Sequence, residues 1–90
     1  MKLSKILSLP NVRIILFLAE KGEARYSQLS KIVQSRGALT AAFRELDTEK
    51  LVTRRIEQTR PIQSYYSLTK LGREVGVELT RLNRLLPKSD

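Results

Sequence analysis

Apolar positions recur along this chain first with a helical period and later with a period of two, and the change divides it into elements. Leu3, Ile6 and Leu7 fit one turn of amphipathic helix over residues 3–8. Pro10 suits the first position of the next helix, where its missing N–H does no harm. Val12, Ile15, Leu16 and Ala19 form that helix's stripe, with Ile14, Phe17 and Leu18 widening it, and Gly22 is a natural stop. Only Arg13 interrupts the apolar run, so this helix is expected at the centre of the core. Residues 23–26 read as a connector or a short strand. Ser27, with apolar Tyr26 before it, is the expected N-cap of a short second helix. That helix carries Leu29, Ile32 and Val33 and is expected to end near Gln34.

Ser35 is the expected cap of a third helix over about residues 36–48. Leu39, Phe43 and Leu46 share one face, and Ala42 borders it. The opposite face holds Gly37, Thr40, Ala41, Arg44 and Thr48, which are small, hydroxylated or basic. Helix, short turn and helix, both striped toward the first helix, have the spacing of a helix-turn-helix. The period then changes to two. Residues 51–56 and 63–68 read as a β-hairpin, with a loop slightly longer than a tight turn around Pro61. Alternation puts Tyr66 and Leu68 on the core and Tyr65 and Ser67 on the other face. Thr69 is an expected N-cap for a last helix. Leu71, Val75, Leu79, Leu82 and Leu86 follow at near-heptad spacing, and Pro87 ends it. Lys88-Ser89-Asp90 reads as a free tail.

The expected fold is therefore mainly α with a small β-hairpin wing (α+β), a winged helix-turn-helix. One domain is expected over residues 1–90, with a core over about 10–68 and a C-terminal dimerisation helix over about 69–86. A chain this short buries only roughly 60–65% of its unfolded surface, so a partner copy would help it. The first half of the last helix is expected on the protomer's own core. The second half is expected to pair with a second chain. Leu3, Leu7, Val75, Leu79, Leu82 and Leu86 are the expected dimer contacts.

Charge changes the picture next. Seventeen Lys and Arg stand against nine Asp and Glu, a formal net charge of +8. That favours a polyanionic partner, nucleic acid before an anionic membrane surface, although solubility alone is a rival explanation. The excess is spread out, with +4 over residues 1–34, +2 over 35–67 and +2 over 68–90, so only folding can gather a patch. There is no Cys and no His. Disulfides, thiol sensing, soft-metal sites and the common catalytic dyads and triads go with them, so neither a metal nor a cofactor nor an enzyme activity is expected. The acidic pairs Glu45/Glu49 and Glu74/Glu78 sit at helical surface spacing, with Glu78 beside Arg81 and Glu74 beside Lys70. No run reaches the roughly 20 apolar residues of a membrane span. The start, Met1 to Leu9, faintly resembles a signal peptide but is broken by Lys5 and serines and lacks a cleavage site. The expected location is the cytoplasm, associated with the nucleoid.

Duplex DNA suits what remains. Arg44 is placed to reach a guanine edge or a phosphate, and Thr40 and Ala41 to meet a thymine methyl. Thr48 shares their face. Arg36 lies at the helix start, where free backbone N–H groups also favour phosphate. Gly37 is either simple tolerance near a helix end or a point of close approach, to a phosphate or in a tight helix–helix turn. Ser27 and Gln28 are candidates for a phosphate bond. Arg54, Arg55, Arg60 and Gln63 belong to the wing. Arg54 and Arg55 fall on opposite strand faces, so only one is expected to point at DNA, and Arg60 at the tip is the minor-groove candidate.

Several runs together resemble a known family. They are Arg25-Tyr26-Ser27-Gln28-Leu29; Leu39 with Phe43-Arg44-Glu45-Leu46; Leu51-Val52-Thr53-Arg54; Pro61; and Tyr66-Ser67-Leu68-Thr69 with Gly72. From about Val12 to Gly72 the chain resembles winged helix-turn-helix transcription regulators of the HxlR type, within the wider MarR-like group. The resemblance implies homodimers on pseudo-palindromic operators, with each third helix in a major groove. It also implies base-facing or phosphate-facing positions for Arg36, Thr40, Ala41 and Arg44. The tryptophan often seen near the start of the first helix is absent, and so is the sensing cysteine, so redox sensing does not carry over. No pattern marks a site for a small-molecule effector. Two rivals use the same fold: an architectural DNA-binding protein without sequence choice, and a protein–protein winged-helix module.

Overall fold

A computed structural model describes Leu3 and residues 6–87. Within them lie α1 (Leu9–Lys21), β1 (Glu23–Arg25), α2 (Tyr26–Ile32), α3 (Arg36–Thr48), β2 (Val52–Glu57), β3 (Gln63–Leu68) and α4 (Lys70–Leu85). This is a winged helix-turn-helix with a small antiparallel sheet. Of the expected N-terminal turn, Leu3 and Ile6 are helical and the Leu7 N–H donates to the Leu3 carbonyl at 2.8 Å. Residues 1, 2, 4 and 5 of the leader-like start, and the tail Lys88-Ser89-Asp90, lie outside the described residues.

Pro10 is the second residue of α1 rather than the first. The buried stripe is Asn11, Ile14, Ile15 and Leu18, rotated from the expected one. Val12 and Leu16 are half-buried and Ala19 is exposed. Periodicity could not choose among so many adjacent apolar positions, and it had no means of bringing in Asn11. Its Nδ2 donates to Glu45 Oε1 of α3 at 3.4 Å, which ties the first helix to the third. Gly22 ends α1 at φ +85°, a left-handed turn that favours glycine.

The second helix starts earlier than expected. Ser27 does not cap it; Arg25 precedes the first turn, and the Gln28 side-chain carbonyl accepts the Arg25 N–H at 2.9 Å. Sequence pattern favoured a hydroxyl cap, but a glutamine three residues on satisfies the orphan N–H equally well. The helix stops at Ile32, and Val33 is buried just beyond it.

Ser35 caps α3, its Oγ accepting from Ala38 N–H at 3.3 Å. Leu39, Ala42 and Leu46 are fully buried and Phe43 only partly. Ala42 is therefore the centre of the anchoring face and Phe43 its border. The exit from α3 is tight. Lys50 N–H donates to the Asp47 carbonyl at 3.0 Å and Leu51 N–H to the Leu46 carbonyl at 2.9 Å, with Lys50 at φ +58°. That pair of bonds closes the helix and sends the chain directly into β2.

The sheet order is β1-β3-β2, all antiparallel. In β2 against β3, Val52 faces Leu68, Arg54 faces Tyr66, Arg55 faces Tyr65 and Glu57 faces Gln63. The wing tip is residues 58–62, and its Arg60–Pro61 peptide is cis. Tyr66 and Leu68 are buried.

The Leu68-Thr69-x-x-Gly72 run has a physical reason. Thr69 Oγ1 accepts from Gly72 N–H at 3.0 Å and donates to the Lys50 carbonyl at 2.6 Å. Thr69 N–H donates to the Leu51 carbonyl at 3.0 Å. A Cβ on Gly72 would collide with that same carbonyl oxygen, so no side chain fits. The motif bolts the start of α4 to the exit of α3. Gly76 then lets α4 approach α1, since a Cβ there would sit 3.1 Å from Ala19 Cβ. Leu71, expected on the inward seam, is exposed; the face on the core is Gly72 and Gly76, with Val75 and Leu79 half-buried.

Candidate nucleic-acid interface

Because Leu39, Ala42 and Leu46 hold α3 from one side, Gly37, Thr40, Ala41, Arg44 and Thr48 all turn outward and are exposed. Gly37 has open space around it, since an added Cβ would meet nothing closer than Ser35 Oγ at 4.0 Å. A tight helix–helix turn is therefore not its reason. Thr48 Oγ1 donates to the Arg44 carbonyl at 2.8 Å, which directs its hydroxyl hydrogen into the helix. Arg36 and Arg44 are exposed.

A groove of about 580 Å³ runs between α3 and β2. Thr40, Arg44 and Asp47 line it from the helix, Thr53 and Arg54 from the strand, and Tyr26 from the start of α2. Its floor is the stacked pair Phe43 and Tyr66, with ring centroids 4.2 Å apart and 2° between planes. Tyr26 approaches Phe43 at 6.2 Å. The stack fixes the distance between helix and wing, so Arg44 and Arg54 flank one concave surface. Tyr26, Thr53 and Asp47 were not expected there. The local pattern marks Tyr26 only as the apolar residue before a cap, and no local pattern shows that β2 brings Thr53 beside α3.

Arg55 and Gln63 lie on the reverse face of the sheet from Arg54. Arg55 donates from Nη1 to Glu57 at 2.8 Å and from Nη2 to Glu23 at 3.1 Å, and its guanidinium lies 4.5 Å from the Tyr65 ring centre. These hydrogen bonds, to Glu57 first and then to Glu23, raise the Arg55 pKa above its ordinary value. Whatever its charge contributes to stability is present below its unfolded pKa and fades only as pH rises through the raised folded one. Gln63 Oε1 accepts from Tyr65 Oη at 2.7 Å and from Arg25 Nη1 at 3.4 Å. Arg60 is exposed in the tip, where Thr59 Oγ1 donates to the Pro61 carbonyl at 2.9 Å. At α2, Ser27 and Gln28 are exposed, with the Gln28 side-chain oxygen already engaged by Arg25.

The residues expected in a dimer contact divide. Leu3, Leu7, Leu82 and Leu86 are exposed, whereas Val75 and Leu79 pack partly on the protomer's own core. Leu9 and Leu85, outside the expected seam, are exposed by 61% and 80%. Among the described residues no group of His, Cys, Asp and Glu is arranged to hold a metal ion, and no helix is long and apolar enough to cross a membrane.

The profile of the HxlR-like helix-turn-helix proteins matches residues 11–88. No curated protein matches the sequence. Several solved structures share the fold. The transcriptional regulator ytfH from Salmonella typhimurium is 25% identical with a TM-score of 0.76, covering 92% of this chain and 75% of its own. A transcriptional regulator of the MarR family from Enterococcus faecalis V583 is 24% identical with a TM-score of 0.80, covering 93% of this chain and 77% of its own. The reduced form of the redox regulator HypR is 23% identical with a TM-score of 0.80, covering 91% and 82%. This chain has no cysteine, so a thiol switch has no residue to act on here.

Proposed function

The chain belongs to the HxlR-like helix-turn-helix family, and on that premise we propose that it is a homodimeric, sequence-specific regulator of transcription that binds duplex DNA. The observation that carries the reading is the two-sidedness of α3. Leu39, Ala42 and Leu46 are fully buried on its inner side, and its outer side presents the small, hydroxylated or basic Arg36, Gly37, Thr40, Ala41, Arg44 and Thr48, with the acidic Asp47 at the edge of the same groove. Such a face can enter a major groove about 12 Å wide without a bulky side chain in the way. Arg36, Thr40, Ala41 and Arg44 then meet base edges or phosphates, and Arg54 follows the strand that runs along the groove between α3 and the wing. Arg60 reaches the minor groove or the backbone. Ser27 offers its hydroxyl to a phosphate, and Gly37 and Thr48 allow close approach. The protein works in the cytoplasm, on the nucleoid.

The dimer reading rests on the exposed leucines of α4 together with Leu3, Leu7 and Leu9. A surface of that kind is uncommon on a small monomer.

The test compares Arg44→Ala with wild type on a selected site and on random duplex. Specific binding is expected to weaken by about 1–3 kcal/mol while random-duplex binding changes little. An equal loss on every sequence would make Arg44 a phosphate contact. No salt-dependent duplex binding by wild type would favour a protein–protein module instead.

A further inference from the structure

The reverse face of the sheet carries a connected polar cluster that the proposed contacts leave unused. Cross-strand register puts Arg25, Tyr65 and Arg55 in one row across β1, β3 and β2. Arg55 lies over Tyr65 in the middle and reaches past it in two directions. Nη2 meets Glu23 on the far edge strand at 3.1 Å, and Nη1 meets Glu57 at the tip end of its own strand at 2.8 Å. Tyr65 Oη continues the cluster to Gln63, which also accepts from Arg25. Glu57 and Gln63 form the last paired row before the tip. Glu23 and Arg25 belong to the strand that runs straight into α2.

The cluster therefore joins the tip end of the wing to the entry of the helix-turn-helix. A planar guanidinium is suited to this, since it can bond two carboxylates and stack on a ring at once. Its charge balance also argues against a DNA contact. Arg25 and Arg55 are matched by Glu23 and Glu57, so this face is neutral on a chain of net charge +8. It is also the face turned away from Val52, Arg54 and Tyr66, hence away from α3.

We propose that Arg55 is a positioning residue: by holding Glu23 and Glu57 across the back of the sheet it fixes the wing tip and Arg60 relative to α3, and duplex affinity depends on that clamp. The inference rests on the DNA-binding reading above. It makes a prediction of sign. Glu23→Gln removes a negative charge, which by simple electrostatics favours a polyanion. The clamp requires the opposite, a duplex affinity lower by roughly two- to fivefold, the range expected from losing one surface ion pair.

The experiment measures duplex affinity against salt concentration for wild type, Glu23→Gln, Arg55→Gln, Arg55→Lys and the double variant Glu23→Gln/Arg55→Gln. Thermal melts establish that each is folded. Arg55→Gln is expected to bind more weakly with the salt slope unchanged, whereas loss of a phosphate contact lowers the slope by about 0.9. The double variant is expected to bind no more weakly than Arg55→Gln alone, because both break one device. Arg55→Lys is expected to recover part of the affinity. Amide hydrogen exchange at residues 57–64 is expected to quicken in Glu23→Gln and Arg55→Gln. Glu23→Gln binding as well as wild type or better would overturn the clamp, as would a salt slope that falls in Arg55→Gln. Faster exchange with unchanged affinity would also overturn it, since the cluster would then be structural only. A wild type without salt-dependent duplex binding would overturn both this inference and the DNA-binding reading. A binding wild type with indifferent variants overturns this one alone.

Discussion

The two long two-faced helices α3 and α4 bury one side in the same core and turn very different surfaces outward. No large apolar residue of α3 is exposed, while α4 exposes Leu71, Val77, Leu82 and Leu85 and its cap exposes Leu86. The inner faces differ in the reverse sense. Helix α3 is held by Leu39, Ala42 and Leu46, and the first half of α4 by the close approach of Gly72 and Gly76. Both helices are anchored, so the outward faces are free to be chosen by their partners. A polar, small and basic face suits a hydrated polyanion. Exposed leucines gain free energy when an apolar partner covers them.

The largest effect tests anchoring. Leu46→Ala removes a fully buried side chain and is expected to lower unfolding free energy by about 2–5 kcal/mol in a urea titration. A loss below ~1 kcal/mol would mean α3 is not held as described. Next comes the outward face of α4. Leu82→Arg is expected to weaken self-association about a hundredfold, close to ~3 kcal/mol, by light scattering over a dilution series. The monomer should remain folded, because Leu82 is half exposed and lies outside the buried core cluster. A wild type that is monomeric throughout would remove the contrast between the helices. Arg44→Ala on α3 should cost about 1–3 kcal/mol of specific DNA binding and leave the thermal midpoint almost unchanged, since Arg44 is exposed. The smallest effect concerns the exit of α3. Lys50 sits at φ +58°, so Lys50→Gly is expected to stabilise by about 0.5–1 kcal/mol, the left-handed penalty of a side chain less glycine's extra unfolded-state entropy. No gain in a thermal melt would place the control of that turn in contacts of the Lys50 side chain.

Much of this architecture was legible because the relevant signals are local. Ser35 and Thr69 are hydroxyl caps at the start of apolar periods, and Gly22 and the change of period after Lys50 mark stops. What was missed depends on contacts across the fold. Ala42 and Phe43 are neighbours on α3, and only the position of Tyr66 decides that Phe43 is the border and Ala42 the centre. Nothing local marks Asn11 for burial, because the Glu45 carboxylate that its amide bonds lies on another helix. Arg54 and Arg55 could be put on opposite faces by counting, but which face met α3 depended on sheet packing. The third strand was at most suggested, because three residues carry too little pattern to reveal their pairing with β3. The candidate site was legible in the same uneven way. The outward residues of α3 follow from periodicity, while Tyr26, Thr53 and Asp47 reach the groove through tertiary packing alone.

The central claim is that a pair of these chains reads DNA sequence through α3. Selection of bound sites from a random duplex library tests it most directly. The account predicts enrichment of an inverted repeat whose half-site centres lie about one helical turn apart, ~34 Å. Tight, salt-dependent binding with no enriched motif would contradict it and leave a DNA-binding protein without sequence choice.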